Sequence, residues 1–213
     1  MINITNEDNM LLMARYPDNY FDLAIVDPPY GINVNMNMGV RKGEKRKHKS
    51  KKWDSKTPSK EYFNELKRVS KNQIIWGANN FTSNLEPSSG WIYWDKKITG
   101  DVDFSCGELA YTSFDKSLKS ISIAIQQIYL QEKRIHPTQK PVKLYEWLLI
   151  NYAKEGFKLL DTHIGSASIA LAVHKLNEIE KMNLTLTACE LDTDYFNAAM
   201  KRIKEQTAQQ TIF

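Results

Sequence analysis

The stretch Lys158–Leu176, KLLDTHIGSASIALAVHKL, reads as a strand, a slim turn and a helix in direct succession. Lys158 to Asp161 is a short apolar run that ends in an acid. Gly165, Ser166, Ala167 and Ser168 then keep the turn small enough for another group to approach the backbone. Ser166 to Leu176 carries helical spacing. The pattern recurs on either side. Downstream, Leu184–Glu190 is a strand and Asp192–Glu205 a helix with Asp192 as its N-cap. Upstream, Asp22–Asp27 (DLAIVD) is a buried-strand pattern ended by a breaker. Thr57-Pro58 predicts an N-cap and first helical position, with Tyr62, Phe63, Leu66 and Val69 as that helix's apolar face. Gln73–Trp76, Trp91–Trp94 and Leu109–Phe114 predict three more strands. Ile121, Ile123 and Ile125 alternate with polar residues, so one sheet face there is expected to meet solvent. Pro141 opens a helix whose apolar positions are Val142, Tyr145, Leu148, Leu149 and Tyr152, and Gly156 is expected to stop it. Strands alternating with helices imply an α/β fold with a mostly parallel sheet.

Composition bounds the rest. The chain has 213 residues, with 42% hydrophobic and 11% aromatic residues. That suits one domain, 1–213, with a real core, and excludes disorder. No apolar run reaches the roughly 18 residues of a membrane span. Met1–Met10 has two acids and no basic residue, unlike a signal peptide. The expectation is a soluble cytoplasmic protein. Cys106 and Cys189 are read as reduced, and no Cys/His cluster has zinc-site spacing. No repeat at a period of 20–50 residues is visible.

Net charge is +4, but residues 41–60 alone hold ten Lys/Arg against two acids, a net of +8 that leaves −4 for the rest. A polyanion partner is one reading of Arg41, Lys42, Lys45, Arg46, Lys47, Lys49, Lys51 and Lys52; a solvated basic loop is the other. Residues 33–56 lack apolar periodicity and are expected to order on binding a nucleic acid.

Three expected strands end in an acid: Asp27, Asp161 and Glu190. In open parallel sheets, ligands bind outside that carboxyl edge. Each acid could instead cap its own turn. The turn after Asp161 opens a helix with free N–H groups and a positive dipole end, suited to a carboxylate or phosphate. It has too little glycine for a P-loop, and no lysine follows it. A packed turn is the competing reading. Glu190, with Asp192 two residues on, stands where an acid accepts both hydroxyls of a ribose. That describes a nucleoside cofactor with no diphosphate. At Asp27-Pro28-Pro29-Tyr30, the prolines fix two φ angles and remove two N–H donors. Carbonyl and carboxylate acceptors remain, beside a ring on which a planar base could stack. Such a site is aimed at an exocyclic amine. Accepting both N–H bonds frees the amine's lone pair from the base.

These residues resemble S-adenosylmethionine-dependent DNA amino-methyltransferases, which modify adenine N6 or cytosine N4. The family's catalytic string (D/N/S)-P-P-(Y/F/W) reads Asp27-Pro28-Pro29-Tyr30 here. HPTQKP stands intact at His136–Pro141. D-P-F-x-G-S-G-T corresponds to Asp161–Ser168, with Thr162 and His163 for Pro-Phe, Ala167 for Gly and Ser168 for Thr. The motif order is that of the permuted β class. The resemblance covers about Ile4–Gly31 and Arg134–Arg202. It implies a Rossmann-like methyltransferase fold with helices on both faces. It implies Asp27, Pro28, Pro29 and Tyr30 as catalytic residues. It further implies cofactor contacts from Asp8, His136, Thr138, Gln139, Lys140, Asp161, Thr162, His163, Gly165, Ser166, Ser168, Glu190, Leu191 and Asp192. S-adenosylmethionine would be the methyl donor, S-adenosylhomocysteine the product, and no metal is needed.

The partner implied is double-stranded DNA, bound by a monomer or homodimer in a bacterial or phage-infected cell. The target base must leave its helix. Residues 33–58 are expected to contact DNA, and residues 77–130 could form a small target-recognition insertion. Asp at the head of the catalytic string favours adenine; cytosine N4 is the alternative. RNA or a protein amide as substrate, and a non-catalytic nucleic-acid-binding protein that keeps the fold, stay open.

Overall fold

Strand β2 (Leu23–Val26) is buried at every position, as a central parallel strand must be. Its neighbours are β3 (Gln73–Trp76) and β7 (Lys158–Asp161), both parallel to it. The computed structural model describes residues 1–32, 54–98, 105–125 and 134–208. Within these, β1 (Ile2–Thr5), β4 (Trp91–Asp95), β5 (Gly107–Thr112), β6 (Lys119–Ser122) and β8 (Thr185–Cys189) complete one sheet in the order β1-β8-β7-β2-β3-β5-β4-β6. Every neighbouring pair is parallel except the two that β5 makes. The mostly parallel sheet is therefore as expected, with one reversed strand inside it. The described part of 77–130 supplies β4, β5 and β6 to this same sheet.

The period-2 pleat sorts the core into two layers. Leu23, Ile25, Ile74, Trp76, Leu159 and Leu186 face α3 (Val142–Tyr152), α4 (Ser168–Ile179) and α5 (Thr193–Ala208). Ala24, Val26, Ile75 and Leu160 face α1 (Asn9–Met13) and α2 (Lys60–Val69). Tyr62, Phe63, Leu66 and Val69 are the buried face of α2. Each such side chain contributes roughly 1.5–3 kcal/mol of burial.

Several boundaries move from their sequence positions. Helix α2 starts at Lys60 with Ser59 as N-cap, so Thr57-Pro58 precedes it. The Thr57 methyl instead packs near Gly31. Helix α3 ends at Tyr152, before Gly156, whose φ of 77° turns the chain back into β7. Helix α4 starts at Ser168, because Ala167 sits at φ 60° and closes the turn. The alternation at Ile121–Ile125 yields only the short edge strand β6. Strand β1 was not expected from the sequence: Ile2 and Ile4 are half-buried and too few to make a pattern. Among the described residues no helix is long and apolar enough to cross a membrane.

Candidate active site

Because β8, β7 and β2 are neighbours and parallel, their three terminal acids, Glu190, Asp161 and Asp27, share one edge. The chain leaves β2 toward β3 on one side and returns to β7 on the other. That is the topological switch point, where a crevice opens. A cavity of about 390 Å³ lies there, within the roughly 300–1,000 Å³ range of small-molecule sites.

Fourteen expected residues line it: Asp8, Asp27, Pro29, His136, Thr138, Gln139, Lys140, Thr162, His163, Gly165, Ser166, Glu190, Leu191 and Asp192. Pro28, Tyr30, Asp161 and Ser168 do not. Pro28, Asp161 and Ser168 are buried. Tyr30 turns toward Gly77, where an added Cβ would collide with its ring. Gly77 has φ 64°, so both its backbone and its missing side chain make room for that ring. Glu7, Asn9, Tyr145, Ile164 and Tyr195 line the cavity without having been singled out from the sequence.

The Asp27 end is a charge cluster. Tyr30 OH donates to Asp27 Oδ1 at 2.6 Å. Lys140 Nζ lies 2.6 Å from Asp27 Oδ2 and 3.0 Å from Glu108 Oε2. It also donates to Tyr30 OH at 3.1 Å. Lys96 Nζ holds the other oxygen of Glu108 at 2.6 Å. Lys140 is only 3% exposed. Burial alone would discharge it, but Asp27 and Glu108 more than offset that and raise its pKa. Burial pushes the Glu108 carboxyl up, and Lys140 and Lys96 overcome this to hold it at about 2. Burial raises the Asp27 pKa, and Glu108 adds to the rise against the opposing pull of Lys140. Glu108 escaped sequence reading because it stands near the start of β5. Reversal of that strand brings its beginning to the edge where the other strands end.

A second missed residue is Asp54, 4% exposed. Its Oδ1 accepts from the N–H of Tyr30 at 2.6 Å and of Gly31 at 3.0 Å. It pins the turn that follows the two prolines, and Gly31 has φ 71° there.

At the other end, Glu190 accepts from the N–H of Gly165 and of Asp192, both at 3.0 Å. Burial raises its pKa. Asp161 accepts from the His163 N–H at 3.0 Å, and burial pushes its carboxyl up to about 8. The altered loop is hydrogen-bonded throughout. Thr162 Oγ1 meets Tyr62 OH at 2.7 Å, and His163 meets Thr162 Oγ1 at 2.9 Å and Asn9 Nδ2 at 3.0 Å. Burial lowers the His163 pKa to about 4, so the ring is neutral at pH 7. Ser168 Oγ donates to the Lys140 carbonyl, and Arg202 from α5 donates to Ser168 Oγ and to the Ser166 carbonyl. Asp8 lines the cavity, but its Oδ1 also caps α1 through the Met10 and Leu11 N–H groups. His136 packs edge-on against Tyr195, with ring centroids 4.3 Å apart.

Of the tryptophans, Trp76 and Trp94 are core residues, and Trp91 is half-buried against Tyr111. Arg41, Lys42, Lys45, Arg46, Lys47, Lys49, Lys51 and Lys52 lie outside the described residues. Among the described residues no group of three His, Cys, Asp or Glu could hold a metal ion.

Fold and site together define an α/β transferase domain of methyltransferase type. The chain matches the DNA methylase family of N6 and N4 type over residues 72–201, more than half its length, and belongs to that family. Its fold is similar to that of M1.HpyAVI in complex with SAM, at 18% identity and TM-score 0.63, over 95% of this chain and 99% of that one. It is similar to PvuII DNA methyltransferase (cytosine-N4-specific), at 13% identity and TM-score 0.61, over 94% and 86%. A putative DNA modification methylase from Thermus thermophilus, complexed with S-adenosyl-L-methionine, aligns at 13% identity and TM-score 0.56, over 97% and 94%. No curated protein matches the chain in sequence.

Proposed function

We propose that the protein transfers a methyl group from S-adenosylmethionine to the exocyclic amine of a base flipped from double-stranded DNA, with adenine N6 as the acceptor. One observation carries this reading: Asp27 and Glu190 open onto the same cavity. An amine-accepting turn and a ribose-accepting acid then serve a single reaction. The donor set fits that cofactor. Among the described residues Glu7, Asp8, Asp27, Glu190 and Asp192 line the cavity, with Lys140 as its one lysine and no arginine. Carboxylates suit a ligand with sulfonium and ammonium charges and repel a diphosphate.

When bound, the cofactor supplies a methyl group on a positively charged sulfur. The protein supplies orientation and charge placement. Asp27 and the Pro28 carbonyl would accept the amine's two hydrogens, which localises its lone pair. Each Asp27 oxygen already takes one partner, Tyr30 or Lys140, and keeps a further lone pair for the amine. Asp27 is then placed to receive the proton that the amine sheds on gaining its methyl. Tyr30 would leave Gly77 or present its other face to stack on the base. Glu190 would take the ribose, and the Gly165–Ser168 turn the methionine end. His163 would flank the cofactor where the family pattern has an aromatic. Residues 33–58 and the connections within 77–130 would contact DNA, as a monomer or homodimer.

Asp27 at the head of the string favours adenine over cytosine. The test is to incubate the protein with S-adenosylmethionine and unmethylated DNA of mixed sequence, then identify methylated nucleosides by mass spectrometry. N6-methyladenine, absent with Asp27→Ala, is expected. N4-methylcytosine would keep the mechanism and reassign the base. No product from DNA would overturn the reading.

A further inference from the structure

Tyr145 lines the cavity from the first turn of α3, five residues beyond Lys140. Its side chain is 6% exposed, and its ring belongs to the core layer with Leu144, Leu148 and Leu149. Its hydroxyl makes no hydrogen bond among the described residues. The oxygen is not one of the buried side-chain atoms left without a partner among the described residues, so it opens on the cavity, where an entering group can reach it. Packing does not call for the oxygen, since phenylalanine would fill the same core position. The hydroxyl therefore fits a group that enters the cavity.

The surroundings define that group. Asp27, Asp161 and Glu108 all act on the phenol electrostatically, and with burial they hold it firmly protonated. Its oxygen keeps two lone pairs, facing a cavity whose lining among the described residues holds five acids and one lysine, a balance that favours positive charge. Lys140, five residues before Tyr145, meets Asp27 of the acceptor turn with its side chain and Ser168 of the cofactor loop with its carbonyl, so this stretch of chain joins the two halves of the site. In the reaction proposed above, the positive centre between those halves is the sulfonium. We propose that the Tyr145 hydroxyl oxygen contacts the sulfonium centre of S-adenosylmethionine, through the polarised C–H bonds of its carbons, and so helps to aim the methyl group. The inference rests on the cavity being the cofactor site. It makes Tyr145 a cofactor-contacting residue beyond the motif positions.

S-adenosylhomocysteine shares every part of the cofactor except the methyl group and the charge. Calorimetric titration of the full-length protein and of Tyr145→Phe with both ligands reads the contact directly. The expected result is roughly three- to tenfold weaker S-adenosylmethionine binding in the variant, with S-adenosylhomocysteine binding changed less than about twofold. The ligand-free melting temperature should not fall, because no internal hydrogen bond is lost. Equal weakening for both ligands would assign the hydroxyl to another part of the cofactor and overturn the proposal. No weakening, or a lowered melting temperature without ligand, would overturn it too. A wild-type protein that binds neither ligand would instead remove the cofactor assignment on which the inference stands.

Discussion

Asp54 carries a motif to which it does not belong. Its carboxylate meets the two N–H groups that follow Pro29, so the turn holds its shape from outside. Asp54→Ala leaves both amides without that acceptor, at a cost of about 1–3 kcal/mol. The melting temperature should fall and methylation should drop at least tenfold. S-adenosylmethionine affinity should stay within about twofold, because Glu190 and Gly165 are untouched. Asp54→Asn, which keeps an acceptor oxygen, should recover part of the activity. Unimpaired methylation by the alanine variant would show that the turn holds without it. Asp161 makes a pH prediction. Its folded pKa, about 8, lies above the 3.8 of an ordinary Asp. Between those values the folded form binds more protons than the unfolded one, so stability falls as pH rises and levels off above about 8. His163, with its pKa lowered to about 4, acts oppositely but only below about pH 6.5. From pH 6.5 to 8, the ligand-free melting temperature should therefore decline less in Asp161→Asn than in the wild type. Parallel curves for the two proteins would contradict the burial argument.

The reversal of β5 decides which elements meet at the site. A parallel strand at that place would carry Glu108 to the far edge of the sheet, away from Lys140 and Lys96. With Glu108 gone, Lys140 keeps Asp27 and the Tyr30 hydroxyl, while Lys96 loses the one ion pair it forms among the described residues. Glu108→Ala should cost on the order of 3–5 kcal/mol, since it strips a partner from a nearly dry lysine. Glu108→Gln, which can still accept hydrogen bonds, should lose less stability and still lose most methylation, because Lys140 then draws Asp27 more tightly to itself. Full activity in the glutamine variant would confine Glu108 to a structural role. Sequence reading reached the strands through apolar runs closed by an acid, and that rule found Asp27, Asp161 and Glu190. The rule cannot find Glu108, because local sequence does not encode strand direction. Tyr145 was legible only as a core position, since its ring obeys the helical period while its oxygen does not. The start of α2 slipped by two residues because Thr57-Pro58 imitates a cap while Thr57 packs on Gly31.

Across the whole molecule, charge is divided by task. Among the described residues the cavity's charged lining is five acids against one lysine, whereas residues 41–60 hold a net of +8. An acidic cavity repels a phosphate backbone, so affinity for DNA must come from elsewhere on the surface. The basic segment lies between Gly31, at the acceptor turn, and the start of α2 at Lys60. The chain thus connects its largest store of positive charge directly to the turn that would receive the flipped base. Changing Arg41, Lys42, Lys45, Arg46, Lys47, Lys49, Lys51 and Lys52 to Gln removes eight positive charges and leaves every lining residue named above unchanged. If all eight meet phosphates, the slope of log affinity against log salt should shrink by up to about 7. DNA binding at about 0.15 M salt should then weaken by several orders of magnitude. S-adenosylmethionine affinity should stay as it was, because the acids and Lys140 that line the cavity are unchanged. Fluorescence anisotropy with labelled duplex at several salt concentrations, beside calorimetry for the cofactor, reads both quantities. An unchanged salt slope would show that the phosphate contacts lie outside this segment. Loss of both affinities together would show that the segment also helps to build the cavity.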